Sequence, residues 1–158
     1  MATEISIRLV NESELEDTGR AYGASFSDSE FGEHWTELQA IALIRTCYRI
    51  QSDLFYIAVD GQKVVGGVAA RIKPWYDGMR LADIELFVIP SHRRRGIAKQ
   101  LVAALLSTAV DKYRVSTIET LTGKPGDFLH DYYLRHGFKP SGLSHIEANS
   151  ADIIKKIV

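Results

Sequence analysis

The stretch "VIPSHRRRGIAKQL", residues 88–101, decides how this chain reads. Before it, "LADIELFVI" (81–89) is an apolar run rich in strand formers. Pro90 stops that run, since it has no N–H to give a ladder. After it, Ile97, Leu101, Ala104, Leu105 and Thr108 fall along one stripe of a helix expected over residues 96–112. The order is strand, proline turn, arginines, glycine, helix. Three explanations of Arg93, Arg94 and Arg95 are open: a grip on nucleic acid, an ordinary solvated helix start, or the docking point of an anionic small molecule. The third has a geometric basis. The first N–H groups of a helix lack intrahelical partners, its dipole makes that end positive, and Gly96 lets a ligand approach the backbone. Phosphate suits such a terminus. The spacing matches neither Gly-x-x-x-x-Gly-Lys-Ser/Thr nor Gly-x-Gly-x-x-Gly.

Bulk properties narrow the choice. A formal net charge of −1 over 158 residues, with no basic stripe beside the arginines, argues against a nucleic-acid partner. This length predicts one domain, 1–158, able to bury a core without staples. Cys47 is the only cysteine, so no disulfide forms within the chain, which suits a reducing cytoplasm. No apolar run reaches the roughly 18 residues of a membrane span, and the first residues lack the pattern of a signal peptide, so no membrane partner is expected.

The remaining elements follow from periodicity and punctuation. "EISIRLV" alternates as a first strand, and Asn11 or Ser13 can cap a helix in which Leu15, Gly19 and Tyr22 share a face. A second helix is expected over 35–49. Two apolar runs flank Asp60-Gly61 as a hairpin, and Gly66-Gly67 suggest a bulge or a close backbone approach in its second strand. "VSTIETL" is a strand, Asp127 can cap a short helix stopped by Gly137, and two closing strands are expected near 139–146 and 152–157. The sum is an α/β (α+β) domain. Its mixed, mostly antiparallel central sheet has about seven strands, with helices on both faces.

Two pieces of this sequence resemble a known family. Arg93-Arg94-Arg95-Gly96-Ile97-Ala98, after Val88-Ile89-Pro90, is similar to motif A of the GNAT superfamily of N-acetyltransferases, Arg/Gln-x-x-Gly-x-Gly/Ala. "YYLRHGF" (132–138) resembles its motif B, in which a tyrosine, here Tyr133, precedes a Gly-Phe pair by four residues. The last motif A position is Ala98, an accepted variant. The asparagine that many relatives carry seven residues before the tyrosine is replaced by Gly126.

The resemblance implies the acyl-CoA acyltransferase fold, acetyl-CoA as cosubstrate and an amine as acceptor. Arg93, Arg94, Arg95, Gly96, Ile97, Ala98 and Lys99 would form the pyrophosphate cradle. Phe87 and Val88 would sit where the strand splays from its neighbour and the pantetheine arm lies as an added strand. Tyr133 matches the usual general acid, and a backbone N–H near Val88 would meet the oxyanion. An attacking amine titrates near ~10.4, so a base must take its proton. Asp83 and Glu85 lie two apart on the strand and would share a face with Phe87, with Glu85 the first choice of base and Asp83 the second. The loop "SFSDSEFGEHW" holds Asp28, Glu30 and Glu33 among Phe26, Phe31 and Trp35, with no Lys or Arg. Phe31, Glu33 and Trp35 would suit a small cationic amine, such as a polyamine, aminoglycoside or lysine-like acceptor. No metal site is expected, and His92 and His136 read as exposed. An acyl-CoA sensor without catalysis, acetylation of a protein lysine or N-terminus, and a homodimer remain open.

Overall fold

The computed structural model describes residues 4–26 and 32–157. The chain divides into two compact units, Met1–Leu121 and Thr122–Val158.

The first unit holds a five-stranded sheet in the order β1-β2-β3-β4-β5. Its strands are β1 (Ile5–Leu9), β2 (Phe55–Asp60), β3 (Lys63–Trp75), β4 (Gly78–Val88) and β5 (Val115–Ile118). The first four pair antiparallel. β5 pairs parallel to β4, reached through the crossover helix α3 (Ile97–Tyr113). α1 (Leu15–Phe26) and α2 (Glu37–Gln51) pack on one another between β1 and β2. A Thr36–Gln39 capping box starts α2.

The glycine pair in β3 shows how the faces divide. Successive strand residues point to opposite faces. A Cβ on Gly66 would lie 3.4 Å from Leu101 of α3, and one on Gly67 would lie 2.7 Å from the Phe87 ring, which packs on Tyr22 of α1. Helix α3 therefore covers one face and α1 the other. Phe55, Ile57, Val68, Leu81, Leu101 and Leu105 are fully buried between the layers. The expected bulge is also there: Ala58 faces Gly66 while Val59 faces Val64, which leaves Val65 extra on β3. Pro74 stays inside β3. Past Ala69 that strand has lost β2, so the missing N–H faces no ladder.

The second unit contains α4 (Phe128–Arg135), with Asp127 at its N-cap position, and α5 (Ser150–Ile157). This corrects the strand count from about seven to five among the described residues. Neither closing strand is present. Residues 138–149 are without regular pairing, and 152–157 form helix rather than strand. The sequence "DIIKKI" explains the second difference. Adjacent Ile153-Ile154 and Lys155-Lys156 break a period of two, while Ile153, Ile154 and Ile157 fit a helical period. The Asn149 side chain accepts from the Ala151 N–H at 3.0 Å and supplies the cap.

Candidate active site

Strand β4 carries the site because it is irregular in two places. Asp83 stands at a bulge with φ +52: Ala69 faces Glu85 while Arg71 faces Ala82. A bulge bends its strand. The pairing of β4 with β5 ends just before it, at Leu81 with Ile118, followed by the Glu119 N–H to the Leu81 carbonyl at 2.9 Å. Beyond that point residues 83–88 of β4 run without a β5 neighbour among the described residues. The Ile89 N–H bonds the Val65 carbonyl, on the β3 side, at 2.9 Å. Alternation along the strand then turns the Val88 N–H toward the side that β5 has left.

After β4 the chain turns through Pro90–His92 and enters α3 without a side-chain cap. Arg94 (φ +60) and Gly96 (φ +75) are both left-handed. That conformation suits glycine but costs an arginine about 1–3 kcal/mol, a strain that clusters at ligand clamps. The first helical bond is the Gln100 N–H to the Gly96 carbonyl at 3.1 Å, so the N–H groups of Ile97, Ala98 and Lys99 precede the ladder. Ile97 is buried and anchors the turn, whereas Arg94, Arg95, Ala98 and Lys99 are exposed. Arg93 behaves differently from its two neighbours. Its Nε donates to the Val88 carbonyl at 3.0 Å and its Nη2 to the Ser25 carbonyl at 2.6 Å. His92, expected to be exposed, is half-buried. Its Nε2 lies 3.0 Å from Asp60 and its Nδ1 2.8 Å from the Ser91 hydroxyl, which pins the turn to the β2–β3 hairpin.

Glu85 faces α1. The Tyr22 hydroxyl donates to its Oε2 at 2.9 Å, and no salt bridge reaches it among the described residues. Burial pushes its carboxyl above the usual range, the Tyr22 hydrogen bond opposes this, and the charges of Glu33 and Asp83 add to the rise. Tyr22 itself is raised by burial and by Glu85, so it stays protonated and remains a donor. Its ring sits 5.2 Å edge-on from Trp35, 4.8 Å from Phe26 and 5.4 Å from Phe87. The Trp35 indole N–H donates to Glu33 Oε2 at 2.8 Å. The structure thus gathers Glu33, Trp35, Glu85 and Phe87 around Tyr22. Asp83 stands exposed and is ion-paired with Arg71. Phe31, with Asp28 and Glu30, lies outside the described residues. Tyr133 lies in α4 of the second unit, its ring 5.0 Å from that of Phe138.

Tyr22 is the residue that sequence reasoning missed as a functional group. Its signal was legible: a tyrosine on the buried face of an amphipathic helix needs a partner for its hydroxyl. Cys47, on α2 near this cluster, is pushed up to about 11 by burial and by Glu85. It is therefore a neutral thiol at physiological pH and a poor nucleophile. Among the described residues no group of His, Cys, Asp or Glu could hold a metal ion, and no helix is long and apolar enough to cross a membrane.

Known proteins share this fold. No curated protein sequence matches the chain. Among solved structures, protein PH1933 from Pyrococcus horikoshii OT3 is 26% identical with a TM-score of 0.70, covering 90% of this chain and 94% of its own. A transcriptional regulator from Bacillus halodurans C-125 is 21% identical with a TM-score of 0.68, covering 92% and 99%. The aminoglycoside N-acetyltransferase AAC(6′)-Iy, solved in complex with CoA, is 22% identical with a TM-score of 0.65, covering 95% and 97%. The family model for the acetyltransferase (GNAT) family matches residues 15–138, across both units. With most of its length matched, the chain belongs to the GNAT acetyltransferase family.

Proposed function

We propose that the protein moves the acetyl group of acetyl-CoA to a small cationic primary amine, by direct attack in a ternary complex. One observation carries this reading. Glu85, a half-buried carboxylate with no cation partner among the described residues, lies on the part of β4 that pairs with β3 but has no β5 neighbour, and that strand leads into an uncapped helix N-terminus. Glu85 and Val88 are three residues apart, roughly 10 Å along a strand. That length suits a base at one end of an extended arm and an anion cradle beyond the other.

The chain's own groups divide the work. The N–H groups of Ile97, Ala98 and Lys99, with Arg94 and Arg95 adding positive charge, hold the pyrophosphate of the cosubstrate. Residues 83–88 offer their open edge to the pantetheine arm. Glu85, held by Tyr22, takes the proton of the ammonium, and the freed amine nitrogen attacks the thioester carbon. The Val88 N–H stabilises the oxyanion of the tetrahedral intermediate. As the carbon–sulfur bond breaks, the departing thiolate is protonated, the general-acid role that the resemblance to motif B assigns to Tyr133, and the second proton still on the former amine nitrogen replaces the one given up, leaving the amide and one proton on Glu85. A thiol pKa near ~8.5 makes this an easy protonation. The neutral thiol of Cys47 gives no support to an acyl-cysteine route.

The charges of Glu33 and Asp83 both act on Glu85, Tyr22 lies against Glu85 and Trp35 against Glu33, and Phe26 packs on Tyr22. Such a cluster favours a cation with some apolar body. AAC(6′)-Iy has also been solved with a bisubstrate analogue, CoA-S-monomethyl-acetylneamine, and an aminoglycoside is one acceptor of the right charge. Thiol release from acetyl-CoA is to be measured with spermidine, neamine and Nα-acetyl-lysine. Release with at least one is expected, with Glu85→Gln lowering kcat by about 10²–10⁴-fold. CoA raising the melting temperature while no amine releases thiol would leave a cofactor sensor instead.

A further inference from the structure

Arg93 is the first residue of the arginine triplet, yet its guanidinium does not lie free beside its neighbours. It bridges two carbonyls on two elements. Ser25 is in the last turn of α1, where carbonyls have no intrahelical partner and the helix dipole is negative. Val88 is the last residue of β4. Ser25 follows Tyr22 by three residues on α1, and Val88 follows Glu85 by three on β4. One guanidinium therefore ties α1 to β4 just past the point where Tyr22 donates to Glu85.

We propose that Arg93 is a positioning residue for the general base, clamping α1 against β4 so that the Tyr22 hydroxyl stays on Glu85. Its side chain is a structural link across the acceptor side, while Arg94 and Arg95 supply charge to the cradle. Arginine suits the role because its planar fork reaches two acceptors at once; a lysine ammonium is a single point charge on a flexible stem. The inference rests on the proposed role of Glu85, but the clamp itself can be read without turnover.

The test uses the full chain and the variants Arg93→Ala, Arg93→Lys, Tyr22→Phe and Arg93→Ala/Tyr22→Phe. Hydrogen exchange reads the clamp directly: amides of residues 22–26 in Arg93→Ala are expected to exchange about tenfold faster or more. CoA affinity, by calorimetry, is expected to fall less than about threefold, because the Arg93 guanidinium is engaged by the Val88 and Ser25 carbonyls. With the best amine of the panel and saturating acetyl-CoA, turnover on the acid limb of the pH profile is expected to fall about tenfold in Arg93→Ala, and Arg93→Lys is not expected to restore it. Because Arg93 acts through Tyr22, the double variant is expected to be no slower than the slower single one. Unchanged exchange at 22–26, a loss of CoA affinity of about a hundredfold, rescue by lysine, or fully additive losses would each overturn the proposal. If no variant and no wild-type protein turns over, the exchange result still decides the clamp, and only the catalytic assignment of Glu85 falls.

Discussion

Replacing Tyr22 by phenylalanine removes one oxygen and leaves the packing of the ring against Trp35, Phe26 and Phe87 in place. That oxygen donates at 2.9 Å to a carboxylate that burial already destabilises in its charged form. A hydrogen bond to a charged group is worth about 1.5–3 kcal/mol. The whole effect falls on the ionised form of Glu85, because only the ionised carboxylate needs the donor. Losing it raises a carboxyl already above its usual range. For a base, a higher pKa means less of the active form at any pH below the new value. The acid limb of the kcat/KM profile therefore moves to higher pH. On the limb, 1.5–3 kcal/mol corresponds to a roughly ten- to hundredfold loss of kcat/KM.

Above the limb Glu85 is ionised in both proteins, and kcat/KM is expected to agree within about threefold. Stability gives a second check with its own sign. Glu85 is raised in the folded state, so its contribution favours folding at low pH and is lost as pH rises through its folded value. Tyr22→Phe raises that value further, so the melting temperature gap from wild type should widen from pH 4.5 to pH 8. The assay is thiol release from pH 5 to 10, with melting curves at pH 4.5 and pH 8. An acid limb that does not move, in a variant that binds CoA normally, would refute the assignment of Glu85 as the base held by Tyr22.

Three further outcomes follow from the same geometry. Asp83→Asn is expected to cost less than about tenfold in kcat, against about 10²–10⁴-fold for Glu85→Gln, because Asp83 is exposed and engaged by Arg71. Gly96→Val puts a β-branched side chain at φ +75 in the cradle, and calorimetry should show CoA affinity reduced by tenfold or more. Gly67→Ala drives a Cβ to 2.7 Å from the Phe87 ring; overpacking of this kind costs about 1–3 kcal/mol, and thermal melting should show a drop of roughly 2–4 °C for each of them.

The legible parts of this fold were those written in local chemistry. Asp60-Gly61, Pro90, Gly96 and the stripe from Ile97 to Leu105 each act within a few residues, and each element they mark is present. The Gly66-Gly67 pair announced a close approach, though the partners it would meet, Phe87 and Leu101, are distant in sequence. The bulge at Asp83 was not legible. Strict alternation put Asp83 and Glu85 on equal terms, and only the register against β3 separates them. The clamp by Arg93 was hidden for a related reason. A motif position suggests a ligand contact, whereas the chain spends that side chain on a helix end 68 residues away. The C-terminal segment misled because Ile-rich sequence has strand propensity, while its spacing is helical.

In the proposed mechanism the acidic cluster lets one carboxylate both attract the acceptor and deprotonate it. An amine at neutral pH is an ammonium ion, and at about 4 Å from an ionised carboxylate the attraction is about 4 kcal/mol at an effective dielectric of 20. A neutral amine gains none of it, so binding selects the form that cannot attack. The proton must then pass to the group that drew it in. From an ammonium titrating near ~10.4 to an ordinary carboxylate this transfer is steeply uphill. Burial, Glu33 and Asp83 each lift Glu85 and reduce the climb. Lifted without limit, Glu85 would be protonated before the amine arrived and would attract nothing. The Tyr22 hydroxyl opposes the lift and favours the ionised form. In the proposed mechanism two demands on one carboxyl are met by two opposed interactions, and a neutral donor fits both: a lysine or arginine there would hold the charge but abolish the base.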